Sequence, residues 1–318
     1  MKFVKDRKMD AEKHLTRREF LDEAMKMGTM STLAWTCSSQ WLEHADASEG
    51  EAPPYLIGCY TRPWAQYEYR VALDAIAEAG YKYVGLMTAK GKNGLVLSVA
   101  TTPEEAAQVA EEVKKRNLKV ASVYGGDIPV AKSLEAGIEG LKRLIDNCAT
   151  CGTMNLLMGG IGDQKLYEPY YTAIRECCDY AAAKGMGISV KPHGGLNATG
   201  PQCRKTVEFV GNKNFGIWYD PGNIFYYSDG KLNPVDDAPS VDGLVMGMCI
   251  KDFKPPQNVD VTPGTGLVDF AAVLAKLKAG GFKKGALVVE CLEPGDPAHT
   301  LAEARKVRQF LQNLTGQT

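Results

Sequence analysis

A single TIM (β/α)8 barrel is the fold that residues 55–318 predict, and three observations carry the prediction. Short apolar, β-branched runs alternate eight times with segments of helical periodicity. The span suits a barrel of this kind, whose usual size is about 250 residues. Polar and ionisable residues gather at the ends of the last four strand candidates, where such a barrel carries its active site.

The strand candidates are Tyr55–Tyr60, Tyr81–Met87, Lys119–Tyr124, Met154–Met158, Gly187–Lys191, Phe215–Asp220, Gly247–Asp252 and Ala286–Glu290. Between and after them lie helix candidates at Tyr67–Ala79, Pro103–Arg116, Val130–Asn147, Leu166–Lys184, Pro201–Val210, Phe270–Ala279 and His299–Leu314. Thr102-Pro103-Glu104 reads as a helix start, with threonine as the cap and proline in the first turn. Asn117 and Gly185 stand where helix C-caps are expected. Asn233-Pro234-Val235-Asp236-Asp237 breaks helical periodicity, so the helix between strands six and seven is short or missing. A doubly wound open sheet lacks support, because no strand candidate is followed by a G-x-G-x-x-G turn.

Lys+Arg (37) balances Asp+Glu (38), which gives no global attraction to nucleic acid or to an anionic membrane. Apolar residues at 45% suffice for a full core and argue against a disordered or fibrous chain. No run approaches the roughly 20 apolar residues of a spanning helix, so no integral membrane segment is expected.

The N-terminus reads as an address. Thr16-Arg17-Arg18-Glu19-Phe20-Leu21 has the twin-arginine export pattern, followed by a weakly apolar stretch from Ala24 to Leu42. Ala45-Asp46-Ala47 offers a small-x-small cleavage site. Residues 1–47 are therefore expected to be a signal segment, 48–54 a linker and 55–318 the barrel, in a periplasmic protein. Lipidation at Cys37 is the lesser alternative, since Trp35 and Thr36 fit a lipoprotein site badly. Cys148-x-x-Cys151 falls where a helix ends, with no second pair or histidine pair nearby, and reads as packing; so do Cys177 and Cys178.

The chemistry-bearing residues lie at strand ends. Strand five runs into Lys191-Pro192-His193-Gly194-Gly195, strand six into Trp218-Tyr219-Asp220-Pro221-Gly222-Asn223, strand seven into Cys249-Ile250-Lys251-Asp252, and strand eight into Glu290-Cys291. Side chains alternate with period two, so Lys191 shares a face with His193, Trp218 with Asp220, and Cys249 with Lys251. Four adjacent strands would each send an ionisable group inward at the mouth. A purely structural ion-pair ring of Lys191, Lys251, Asp220 and Glu290 is the alternative, and a poor way to gain stability. The chain has His14, His44, His193 and His299; of these, His193 alone sits at such a strand end. Trp64, Trp218, Tyr60 and Tyr219 are candidates for stacking on a sugar ring or, equally, for filling the barrel layers.

These motifs, with Pro263-Gly264-x-Gly266 and Val268-Asp269-Phe270, resemble the xylose isomerase-like barrels, the sugar phosphate isomerase/epimerase group that also includes the endonuclease IV branch. The resemblance spans roughly residues 55–315 and is more specific from residue 187 onward. It implies a divalent metal, held by carboxylates and histidine at the ends of the last four strands, that polarises a sugar carbonyl while protons move through an ene-diol. Asp220 and Glu290 match the strand-six and strand-eight ligands. Lys191 stands where the epimerases have the strand-five glutamate, and Cys249 where they have the strand-seven histidine.

Two sites follow. In one, His193, Asp220, Glu290 and Cys249 bind Mn, Zn or Co, and the cysteine shifts the preference toward softer ions. In the other the metal is gone, Lys191 and Lys251 stabilise an oxyanion, and a desolvated Lys191 acts as base. Lys191, Glu290 and Lys251 are thus the expected catalytic groups, and Trp64, Trp218, Asn223 and Asp252 the expected substrate contacts. The expected ligand is a small-molecule carbohydrate, with a homo-oligomer left open. The leading activity is a carbohydrate isomerase or epimerase acting beside a carbonyl. A 3-keto-glycoside lyase working by β-elimination and a non-catalytic sugar-binding barrel are the alternatives. The endonuclease branch fits least, because its chemistry uses many histidines.

Overall fold

A computed structural model describes residues 53–317 apart from Lys92. The expected signal segment, Cys37 and most of the linker lie outside the described residues.

Eight parallel strands close into a barrel in sequence order. They are β1 (Tyr55–Tyr60), β2 (Tyr83–Leu86), β3 (Lys119–Tyr124), β4 (Asn155–Met158), β5 (Gly187–Val190), β6 (Phe215–Tyr219), β7 (Val245–Ile250) and β8 (Gly285–Val289). Closure comes from β1 on β8, in a register that pairs Tyr55 with Gly285 and Cys59 with Val289. The outer helices are α1 (Tyr69–Glu78), α2 (Pro103–Lys115), α3 (Leu134–Thr150), α4 (Tyr167–Ala183), α5 (Gly200–Val210), α6 (Pro221–Tyr227), α7 (Pro234–Asp237), α8 (Phe270–Ala279) and α9 (Pro297–Thr315).

Local chemistry sets the boundaries. Thr102 Oγ1 accepts from the Glu105 amide, and the Glu105 carboxylate accepts from the Thr102 amide, so α2 starts on a complete capping box. Asn117 ends that helix at φ 54°, and Gly185 stands at φ 74° just past α4. Helix α3 begins at Leu134 rather than Val130, because Ser133 caps it by accepting from the Ala136 amide. The segment between β6 and β7 holds two short helices, as its proline and aspartates led one to expect.

Strands β5, β6 and β8 each stop one residue short of the expected end, and β7 two short, so that Lys191, Asp220, Glu290 and both Lys251 and Asp252 leave the ladder. The cause is visible at Asp220. Its backbone (φ −130°, ψ 91°) turns to cap α6, and its side chain accepts from the Asn223 amide at 3.0 Å. The polar strand-end residues are therefore the first residues of the mouth.

Inside the barrel, Leu56, Tyr60, Met87, Ala121, Leu157, Trp218, Cys249, Ala286 and Val288 form one buried cluster. A larger cluster fills the layer between strands and helices and contains Trp64. The two big interior rings need room. A Cβ on Gly85 would collide with the Tyr60 ring, and one on Gly247 with the Trp218 ring. Cysteines 148, 151, 177 and 178 are free and buried, in keeping with a packing role.

Gly247→Ala should therefore overpack the interior and cost about 1–3 kcal/mol. Gly162→Ala, at a position with open space around the added carbon, should change stability little. Thermal melts of the two variants check this; equal melting temperatures would contradict the packing assignment.

Candidate active site

The mouth of the barrel is built around one carboxylate. Glu290, just past β8, is 1% exposed. Lys191 Nζ, from the end of β5, donates to both its oxygens, at 2.9 Å to Oε1 and 2.7 Å to Oε2. Lys251 Nζ, from the end of β7, lies 2.6 Å from Oε1. Arg62 Nη1, just past β1, donates to Oε1 at 2.8 Å. Cys249 Sγ donates to Oε2 at 2.8 Å. Asp220 completes the cluster through Oδ2, which lies 3.3 Å from Lys191 Nζ and 3.1 Å from Lys251 Nζ.

The expected face-sharing holds where it matters. Lys191, Asp220, Lys251 and Glu290 meet from four adjacent strands, and each is at most 2% exposed. Three cations, Lys191, Lys251 and Arg62, face two buried carboxylates. Arg62 also reaches Asp260 at the rim, at 3.4 Å. It is the cation of the cluster that reaches solvent, with 31% of its side chain exposed.

Burial alone would lower the Lys191 pKa, but the Glu290 and Asp220 charges outweigh it and hold the group well above its ordinary value. Lys251 is raised in the same way, against its own burial, by Asp220 and Glu290. Burial would raise Glu290; Lys191, Lys251 and Arg62 together hold it well below the usual carboxylate range. Burial, with Glu290 adjacent, pushes the Cys249 thiol well up. The result is two ammonium ions, a carboxylate and a neutral thiol. Lys191 is consequently not a base: a proton held between two carboxylates is not free to leave, which corrects that part of the expectation.

Asp220, Cys249 and Glu290 do bring ligand atoms within 4.8 Å of one another, so three of the four expected metal donors converge. His193 is not in that group. It stands at the rim, open to solvent, its ring 6.2 Å from that of Tyr124 and 5.9 Å from that of Tyr227. Loss of water on its inner side, with the Lys191 and Lys251 charges below, lowers its pKa to about 4. It is a neutral imidazole at pH 7. The donor geometry for a metal is present, but the carboxylates are already engaged: Glu290 is hydrogen-bonded on both oxygens, and both lysines lie on Asp220 Oδ2. As arranged, these residues do not fit a divalent ion.

Other expected contacts fall elsewhere. Trp64 and Trp218 are each 1% exposed and offer no open ring face, so both are packing residues. Asp252 is no substrate contact. Its carboxylate accepts from the amides of Phe253, Gly264, Gly266 and Val268, and thereby fixes the fold of the loop after β7. Asn223 is buried and holds Lys251, accepting from Nζ at 3.1 Å while its amide donates to the Pro192 carbonyl at 2.6 Å. Arg62 was not legible beforehand. Its one signal is position, two residues past the first strand.

The xylose isomerase-like TIM barrel profile matches residues 73–314. The chain belongs to that family. Solved structures of the family's fold lie close to it. A xylose isomerase domain protein from Planctomyces limnophilus superposes with a TM-score of 0.63 at 18% identity, covering 82% of this chain and 98% of that one. A D-psicose 3-epimerase solved with D-fructose gives 0.64 at 14% identity, over 82% and 99% of the two chains. An L-ribulose 3-epimerase gives 0.63 at 16%, over 82% and 94%. At these identities the likeness is one of fold. No curated protein sequence matches.

The charge cluster makes a stability prediction. Glu290→Gln leaves three buried or half-buried cations facing one carboxylate and should cost about 3–5 kcal/mol. Lys191→Met should cost less, because Glu290 keeps Lys251, Arg62 and Cys249. The Glu290 contribution is present above the ordinary glutamate pKa of about 4.3. It fades as pH falls toward the depressed folded value, so the gap between wild type and Glu290→Gln should narrow in acid. Denaturant titrations at pH 7 and in acid read this; a gap that widens in acid would contradict it.

Proposed function

We propose that this family member is a carbohydrate isomerase or epimerase acting at the carbon beside a carbonyl. The observation that carries the proposal is the pairing, at one barrel mouth, of a neutral exposed imidazole with a fixed positive cluster that includes the solvent-reaching Arg62. Removing a proton beside a carbonyl places negative charge on the oxygen. Cations fixed in advance stabilise that charge most in a water-poor site. In this reading Arg62 hydrogen-bonds the oxygen, and its position is supported by Glu290, which Lys191 and Lys251 hold in turn. His193 takes the proton; returning it to the neighbouring carbon, while the hydroxyl proton there passes to the former carbonyl oxygen, gives isomerisation, and epimerisation instead takes a proton from a second donor on the opposite face of the ene-diol. The family, and neighbours that include two sugar 3-epimerases by name, support a carbohydrate as substrate.

One observation favours a second reading, a 3-keto-glycoside lyase. Asp229, Phe253, Pro255, Gln257 and Leu267 line a cavity of about 470 Å³ among the loops after β6 and β7, on the face that carries the cluster. It offers a place for the leaving part of a glycoside. Proton removal at His193 would then be followed by expulsion of the glycosidic oxygen, which leaves a carbon–carbon double bond conjugated to the ketone. The twin-arginine pattern fits either reading, since we place the protein in the periplasm, where unphosphorylated sugars are met.

Free ketoses and 3-keto-glucosides incubated in D2O and followed by NMR test the proposal. Deuterium should enter at the carbon next to the carbonyl, with an epimer or isomer as product. His193→Asn should slow exchange by about 10²–10⁴-fold. An enone product decides for the lyase. Sugar binding without exchange in any substrate would remove the enzymatic reading.

A further inference from the structure

We propose that the ammonium groups of Lys191 and Lys251 stand in the place of a divalent cation, so that this barrel keeps the metal-site carboxylates of its family but works without the metal. Three observations on the cluster support this.

The first is occupancy of the ligand atoms. A carboxylate offers about four lone-pair positions. Glu290 receives five contacts: Lys191, Lys251 and Arg62 on Oε1, and Lys191 and Cys249 on Oε2. Asp220 has three of its positions taken, with both lysines on Oδ2 and the Asn223 amide on Oδ1. A metal ion would have to displace these donors one for one.

The second is charge. Two ammonium groups together carry the charge of one divalent ion, and both lie between the carboxylates that would otherwise hold it. A metal added beside them would meet like charge at close range in a buried site. The third is the way the lysines are held. Lys251 Nζ also donates to Asn223 Oδ1, and Asn223 is anchored on Pro192. The Lys191 carbonyl accepts from Asn197 Nδ2 at 2.7 Å, and Asn197 also reaches the Gly159 carbonyl. A Cβ on Gly160 would run into the Asn197 amide, so the β4 loop is shaped to admit that brace. Both lysines are thus fixed at 1–2% exposure, and moving them aside would leave buried ammonium groups without partners.

The experiment reads metal directly and needs no turnover assay, so its failure and a failure of the carbohydrate reading are distinguishable. The protein, purified without chelator, is dialysed against MnCl2, CoCl2 or ZnCl2, and its metal content and melting temperature are measured. Wild type should take up no stoichiometric metal and melt at an unchanged temperature. Lys191→Met, which frees positions on Glu290 and Asp220, should bind Zn²⁺ at least about tenfold more tightly than wild type and melt higher in its presence. If Lys191→Met does not fold, Lys251→Met is read by the same criterion. Wild type that binds about one ion per chain, with the ion lost in Asp220→Asn, overturns the proposal. So does a lysine variant that folds and gains no affinity, because the ammonium would then not be what keeps the ion out.

Discussion

Everything at the barrel mouth depends on one buried carboxylate held by donors from three other strand ends. Glu290 follows β8, and its donors follow or belong to β1, β5 and β7. A carboxylate at 1% exposure is costly unless its charge is matched. Here Lys191, Lys251 and Arg62 match it, and Asp220 shares the lysines. Removing Glu290 would leave the two buried lysines facing Asp220 alone. The cluster therefore ties together strands on opposite sides of the β1–β8 seam, where the barrel closes.

That constraint explains features that look unrelated. Asp220 leaves its strand to cap α6, which brings Asn223 back to hold Lys251. Asp252 gives its four acceptor contacts to loop amides, which closes the β7 loop beside the site. Tyr60 and Trp218 fill the interior beneath the mouth, each against a glycine, and so keep water from entering from below. The polar layer rests on a packed floor. His193 is left above it, at the rim, where a substrate can reach it.

Much of this was legible in the sequence because barrels obey simple geometry. Strand–helix alternation gave the fold, and period-two parity placed Trp218 with Asp220 and Cys249 with Lys251 on inward faces. Parity failed for His193, since the chain has left the strand by Pro192 and alternation no longer applies. Trp64 and Asp252 were misassigned because residue type does not report hydrogen-bond partners: an aspartate satisfied by four backbone amides reads like one free to bind substrate. Arg62 was missed because it comes from the first strand, far in sequence from the other members and outside any motif. The protonation of Lys191 depended on distances to two carboxylates, which spacing along the chain does not supply.

Nitrogen-15 NMR of the lysine side chains tests the central claim most directly. If Lys191 and Lys251 are ammonium ions locked on Glu290 and Asp220, two slowly exchanging Nζ–H signals should persist at neutral pH and should not titrate until strongly alkaline conditions. Lys191→Met and Lys251→Met should each remove one of them. Lysine signals that all exchange rapidly with water, or a buried lysine that titrates near neutrality, would contradict the account.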